Sequence, residues 1–177
     1  MTAMIDPAIR ARREQIVLDH FADEVSQEWD KVLSTFPHPH YELIPTGVEH
    51  DGFTDVMKYY RDTRTAFPDQ HHEMINLRHT DDAVVTEFWL MGTHNGYLGH
   101  IPPTHNAFRV RMTAFFIFEG DRLVCERIYF DTLTMMKQLI GPIDWKRPSD
   151  LMKLVRFLRG AAKTVTSDPA YAGNTLR

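Results

Sequence analysis

At 177 residues the chain is long enough for one hydrophobic core that also encloses a cavity, and a single domain with a terminal extension is expected. Its formal net charge is -4, with Lys and Arg scattered among acidic residues, which argues against the basic stripe that nucleic acid binding demands. No apolar run approaches the ~18 residues of a membrane span, and the N-terminus is charged without an apolar region, so a cytoplasmic location is expected.

From Asp6 to about Leu33, apolar residues recur at helical spacing behind an Asp6-Pro7 start, which predicts one long helix or two in series. The prolines of Phe36-Pro37-His38-Pro39-His40-Tyr41 enforce an extended segment, and a short strand over Tyr41 to Pro45 is expected after it. Phe53, Val56, Met57 and Tyr60 define a further helix closed by Phe67-Pro68. The period then changes to two, with strands expected over His71 to His79, Ala83 to Thr93, Asn106 to Phe118 and Arg122 to Phe130. Two helices followed by four long strands predict an α+β fold, with helices on one face of an antiparallel sheet. The Asn95 to His105 loop is either a functional rim or an inert crossover. A short helix over Leu133 to Ile140 ends at Gly141-Pro142, and Ser149-Asp150 opens a last helix whose expected apolar face is Leu151, Leu154, Val155 and Leu158. That face needs burial against its own domain or a partner subunit, with a cationic membrane-surface helix the weaker alternative because its polar face is short.

In the last strand, the period of two sets Cys125, Arg127, Tyr129 and Asp131 on one face and Val124, Glu126, Ile128 and Phe130 on the other. If the mixed polar face lines a pocket, Asp131 is a general acid or base with a raised pKa; otherwise Asp131 caps the helix that follows. Glu87, flanked by Phe88 and Trp89, needs a cross-strand partner such as Arg109, Arg111 or Arg127. His94, at a strand end beside glycines, is the histidine best placed for work. Ten histidines invite a metal reading, but His38-Pro39-His40 and His71-His72 lack ligand spacing and there is no second Cys to join Cys125, so no metal is expected. Neither a Gly-x-Ser-x-Gly elbow nor a Gly-rich phosphate loop is present, so neither a nucleophilic serine nor a nucleotide cofactor is expected.

Gly92-Thr93-His94-Asn95-Gly96, then Ile101-Pro102-Pro103-Thr104, then the run from Arg122 to Asp131 together resemble the SnoaL-like polyketide cyclases of the nuclear transport factor 2-like superfamily, over about Ile9 to Ile140. The resemblance implies a cone-shaped barrel, a strongly curved antiparallel sheet wrapped around the N-terminal helices (residues 1–140, with 141–177 as a helical extension), and a homodimer packed through the sheet. It implies an apolar pocket and assigns to Asp131 the general acid/base role of an intramolecular aldol closure. Two departures stand out. His105 replaces the glycine usual after Pro-Pro-Thr, and Ala114 to Phe118 holds no histidine to serve as a second polar residue.

The expected function is therefore acid–base chemistry without a cofactor on a small apolar carbonyl compound. Asp131 and His94 are the catalytic candidates, and Tyr59, Glu87, Trp89, Arg127 and Tyr129 the substrate-binding ones. The alternatives are a non-catalytic binding module, and a hydratase or epoxide hydrolase whose water is held by Asp131 with Glu87 or Asp69.

Overall fold

The structure is a computed structural model that describes residues 6–167. In chain order the elements are α1 (Pro7–Val25), α2 (Trp29–Ser34), β1 (His40–Leu43), β2 (Val48–Asp51), α3 (Phe53–Ala66), β3 (His71–His79), β4 (Ala83–Thr93), β5 (Ala107–Glu119), β6 (Arg122–Phe130), α4 (Thr132–Ile140) and α5 (Pro148–Ser167). The expected α+β class holds. The six strands form one sheet in the order β2-β1-β6-β5-β4-β3, in which only β1 and β6 run parallel. The sheet is not closed into a full barrel, since β2 and β3 are its edges. None of the described helices is long and apolar enough to cross a membrane.

Helix α1 begins where expected: the Asp6 side chain accepts a hydrogen bond from the Ala8 N–H at 2.9 Å, and Pro7 occupies the first turn, where its missing N–H costs nothing. It buries Arg13, Val17, His20 and Phe21, one stripe at helical spacing. Arg13 anchors the stripe at one end by donating to the carbonyl oxygens of Gly120 (2.7 Å) and Asp81 (3.0 Å), the turns of the two long hairpins. In place of the single short strand expected after the prolines, the chain makes the β1–β2 hairpin, turning at Gly47 with φ 65°.

On the inner face of the sheet, Val84, Thr86, Phe88 and Leu90 of β4 face the helices beside Val110, Met112, Ala114 and Phe116 of β5. They join Val17 and Phe21 of α1, Val56 and Met57 of α3, and Leu139 of α4 in one core. Truncating one of these phenylalanines to Ala costs about 3–5 kcal/mol.

Helix α5 corrects an expectation. Leu151, Val155 and Leu158 are 36%, 40% and 53% exposed, while Phe157 and Gly160 are buried. The reason is backbone contact: a Cβ on Gly160 would lie 2.5 Å from the His100 carbonyl oxygen, so the helix rests its glycine against the 95–105 loop and rolls the leucines outward. The loop is held from both sides, by His100 N–H donating to Thr164 Oγ1 (2.8 Å) and by the Asn95 and Gly96 N–H groups donating to the Ala66 carbonyl.

Candidate active site

The parallel register of β1 on β6 sets Tyr41 opposite Glu126. Both side chains point inward, because Glu126 shares its face with Ile128 and pairs with the buried Phe116 of β5. His20 comes down from α1 and Tyr60 from α3 to meet them. All four are sealed from solvent: His20 1%, Tyr41 1%, Tyr60 2% and Glu126 5% exposed.

The four polar tips converge on His20 Nε2. The Tyr41 hydroxyl lies 3.1 Å from it, the Tyr60 hydroxyl 3.4 Å and Glu126 Oε2 3.3 Å, while the two phenol oxygens are hydrogen-bonded to each other. Phe36 and Phe116 stand edge-on to the imidazole, with centroids at 5.8 and 5.4 Å. At the other ring nitrogen, Nδ1 is 3.4 Å from Thr35 Oγ1, whose own proton is donated to the Val32 carbonyl at 2.6 Å. The threonine hydroxyl is thus left as an acceptor, which assigns a proton to Nδ1 and leaves Nε2 as the acceptor facing the two phenols. Burial, reinforced by Glu126 at Tyr41 and by Glu24 at Tyr60, raises both phenol pKa values well above the usual value, so both stay protonated as donors. Glu126 Oε2 is buried without a hydrogen-bond partner, an arrangement that costs stability and that calls for an explanation in function.

A second buried histidine, His72 of β3, lies edge-on between Phe21 (5.2 Å) and Phe88 (5.3 Å), with Nε2 3.7 Å from Glu24. Burial holds its pKa below the ordinary value.

Of the residues singled out in the sequence, only Tyr59 borders this centre, with its ring 5.7 Å from Tyr60, 6.2 Å from Tyr41 and stacked on His50 at 4.9 Å. Asp131 is exposed and serves as the N-cap of α4, where it accepts from the Thr134 N–H (3.0 Å) and Thr134 Oγ1 (2.5 Å). These bonds lower its pKa, the direction opposite to the one a pocket would impose. The strand parity around Asp131 is as expected, but the polar face is the outer one: Arg127 forms a forked pair with Glu42, and Tyr129 packs on Phe115 at 5.6 Å and is 40% exposed. Glu87 and Trp89 share that outer face, the former paired to Arg111 at 2.6 Å, the latter covered by the Arg109 guanidinium at 3.8 Å. Asp69 accepts from the Thr93 N–H and hydroxyl, each at 2.7 Å, so Asp131, Glu87 and Asp69 are each engaged elsewhere and none pairs with another.

His94 is fully buried, not a rim residue. It lies on the inner face of the sheet against Phe67, with Nδ1 3.1 Å from Thr104 Oγ1 and Nε2 unpartnered. Burial first, then the neighbouring His105, depresses its pKa. The motif around it is explained by backbone geometry. A Cβ on Gly96 would lie 1.9 Å from the Thr65 carbonyl oxygen, and His105 adopts a left-handed φ of 59°, a conformation that favours glycine.

Two cavities lie away from the buried cluster. One of about 320 Å³ is lined by Pro102, Thr104, Lys153, Arg156 and Phe157; another of about 480 Å³ is lined by Asn106, Lys137, Gln138 and Pro142. On the outer face, His40, Glu42 and Cys125 form the one group among the described residues with the donors and spacing for a metal ion.

Among solved structures, the chain is similar to a protein from Jannaschia sp. CCS1 assigned as a SnoaL-like polyketide cyclase, with 17% identity, a TM-score of 0.69, and 79% of this chain and 99% of that one covered. It is similar to a hypothetical protein of ketosteroid isomerase-like fold from Catenulispora acidiphila (18%, TM-score 0.62, 73% and 95% covered). A protein from Acidithiobacillus ferrooxidans assigned as a polyketide cyclase gives 23% identity and a TM-score of 0.60, with 72% and 94% covered. These likenesses establish the fold. No curated protein sequence matches the chain. The family model of the SnoaL-like polyketide cyclases matches residues 16–139, which takes in all four residues of the buried cluster, and the chain belongs to that family.

Proposed function

We propose that the chain is an acid–base enzyme of the cyclase, isomerase or lyase type, acting on a small, mostly apolar carbonyl compound, with His20, Glu126, Tyr41 and Tyr60 as its reacting group. In this reading His20 Nε2 takes the acidic C–H proton next to the carbonyl, and the electron pair of that bond moves onto the carbonyl oxygen. The two phenols donate to the oxygen as it becomes an enolate. Glu126 Oε2, 3.3 Å away, stabilises the imidazolium that forms. The observation that carries the reading is this buried carboxylate oxygen without a hydrogen-bond partner, 3.3 Å from the His20 nitrogen on which both phenols also converge. Phe36, Phe116 and the stacked pair of Trp29 on Tyr60 (4.8 Å) supply the apolar surroundings.

The test is hydrogen–deuterium exchange at the α-carbon of a panel of small ketones and β-dicarbonyl compounds in heavy water, followed by NMR. Wild-type protein should catalyse exchange, His20→Gln should lose it, and Asp131→Asn should retain it. Loss in Asp131→Asn with retention in His20→Gln would return the catalytic role to the strand end. Binding of the panel without exchange by any member would make the chain a binding module instead. The outer sheet face, with Trp89 between two arginines, is the surface proposed for a second copy of the chain.

A further inference from the structure

The outer side of the β1–β6 pairing carries a second group of residues, distinct from the buried cluster. Because β1 and β6 run parallel with Glu42 opposite Arg127, continuing the register two residues back brings His40 beside Cys125. His40, Glu42 and Cys125 therefore occupy neighbouring corners of one patch, and one ligand atom from each lies within 4.8 Å of the other two. Glu42 Oε1 is 3.6 Å from His40 Nε2 and 3.6 Å from Cys125 Sγ.

We infer that His40, Glu42 and Cys125 bind a divalent transition-metal ion of the zinc type. Bonds of about 2.0–2.3 Å in a tetrahedral site imply ligand–ligand edges of roughly 3.3–3.8 Å. Two of the three edges already have that length, and closing the third needs only a side-chain adjustment. One imidazole, one thiolate and one carboxylate form a borderline-soft set that suits zinc and cobalt and disfavours calcium and magnesium.

The next layer of contacts supports the same reading. His40 Nδ1 is 2.9 Å from Asp51 Oδ1, the residue directly opposite on β2, and this carboxylate directs the ring so that Nε2 is the nitrogen turned toward Glu42. Arg127 donates to both carboxylate oxygens of Glu42, Nε to Oε2 and Nη2 to Oε1 at 3.1 Å, so an ion at Oε1 would share that oxygen with the guanidinium. On binding, the Cys125 thiol releases its proton to solvent. The two charges of the ion and the one on Arg127 then match the single negative charges of Glu42, the thiolate and Asp51. His40 is 28% and Glu42 19% exposed at the side chain, while Cys125 is buried at 7%, so an ion would enter from the His40 and Glu42 side, where water can fill a fourth position.

The ion would staple β1, which pairs with β6 through only three residue pairs, and it would do so on both sides of Tyr41, whose side chain points inward to His20. The test is titration of the full chain with cobalt(II) alone, followed by displacement with zinc. Wild-type protein should bind one equivalent and develop the near-ultraviolet thiolate-to-cobalt absorption. Cys125→Ser should abolish that absorption, His40→Ala should weaken zinc binding more than 100-fold, and Asp51→Asn should weaken it about 10–100-fold. Zinc should also raise the melting temperature of wild-type protein but not that of Cys125→Ser. Absence of the thiolate absorption in folded wild-type protein overturns the inference. Zinc affinity that survives both Cys125→Ser and His40→Ala does so too, since it would belong to the other histidines.

Discussion

Glu126→Gln separates the catalytic from the structural account of the buried cluster, because the two predict opposite signs. The substitution keeps the volume and removes the charge. An imidazolium 3.3 Å from a carboxylate gains about 5 kcal/mol at an effective dielectric constant near 20. At 1.36 kcal/mol per tenfold, that sets a ceiling of a few thousand-fold on the rate that Glu126 supplies, and solvent and side-chain relaxation bring the expected loss of α-proton exchange to about 10²–10³-fold. The resting protein needs no such charge. Glu126 Oε2 lacks a hydrogen-bond partner there, so the substitution recovers a desolvation cost of about 1–3 kcal/mol, and the melting temperature should hold or rise by a few degrees. If His20 were an imidazolium at rest, the same change would break a buried ion pair at a cost of about 3–5 kcal/mol, and melting would fall by roughly 10 °C. The assays are deuterium exchange by NMR and thermal unfolding by circular dichroism. Unchanged exchange, or a large drop in melting temperature, refutes the assignment of Glu126 as partner of a transient imidazolium.

Asp131→Ala should lower the melting temperature by about 2–4 °C through loss of the α4 cap while exchange activity persists. Because its folded pKa is lowered, the stability that Asp131 contributes is present above its unfolded value near 3.9 and disappears as pH falls through the folded value, so wild type and variant should converge in acid. His72 and His94 both have depressed folded pKa values; stability should be full above about pH 6.5 and decline below it, as the unfolded chain takes up protons first. Melting between pH 5 and 8 should show this slope, and His94→Gln should flatten it. Gly160→Ala should destabilise by about 1–3 kcal/mol in urea, despite a helix propensity gain near 1 kcal/mol, because its Cβ would meet the His100 carbonyl at 2.5 Å. A more stable variant would show that α5 can lift from the loop at no cost.

Local rules carried the fold a long way. The Asp6 cap, the prolines after Thr35, and the change of period from helix to strand at His71 place most elements within a few residues of where they lie. They missed β2, four residues whose Glu-His-Asp content gives no strand signal and which exist only because β1 offers them a ladder. They also assigned the wrong stripe to α5, since a helix that packs on loop backbone is positioned by Gly160, and counting leucines does not reveal such a contact.

The site was less legible for a reason that strand parity makes plain. Alternation correctly separated Glu126 from Arg127 and Tyr129, but it cannot say which face is inside. The mixed polar face looked like a pocket lining when it was a solvated ladder of ion pairs with its own partners across the sheet: Arg127 with Glu42, Arg111 with Glu87. The stronger signal lay on the other face, where a single Glu126 stands among Ile128, Phe116 and Leu123, because a carboxylate with no cation in cross-strand reach is expensive to bury and persists only where something needs it. His20 and Tyr41 were harder to see, since one occupies an apolar stripe of α1 and the other follows two prolines, and nothing in their spacing links them. Their meeting is produced by the parallel docking of β1 on β6, a long-range pairing between residues 85 positions apart in its Tyr41–Glu126 step. The same pairing, read on its outer side, brings His40 to Cys125, so one short parallel contact assembles both the buried His20, Tyr41 and Glu126 cluster proposed for acid–base chemistry and the patch proposed to bind a metal behind it.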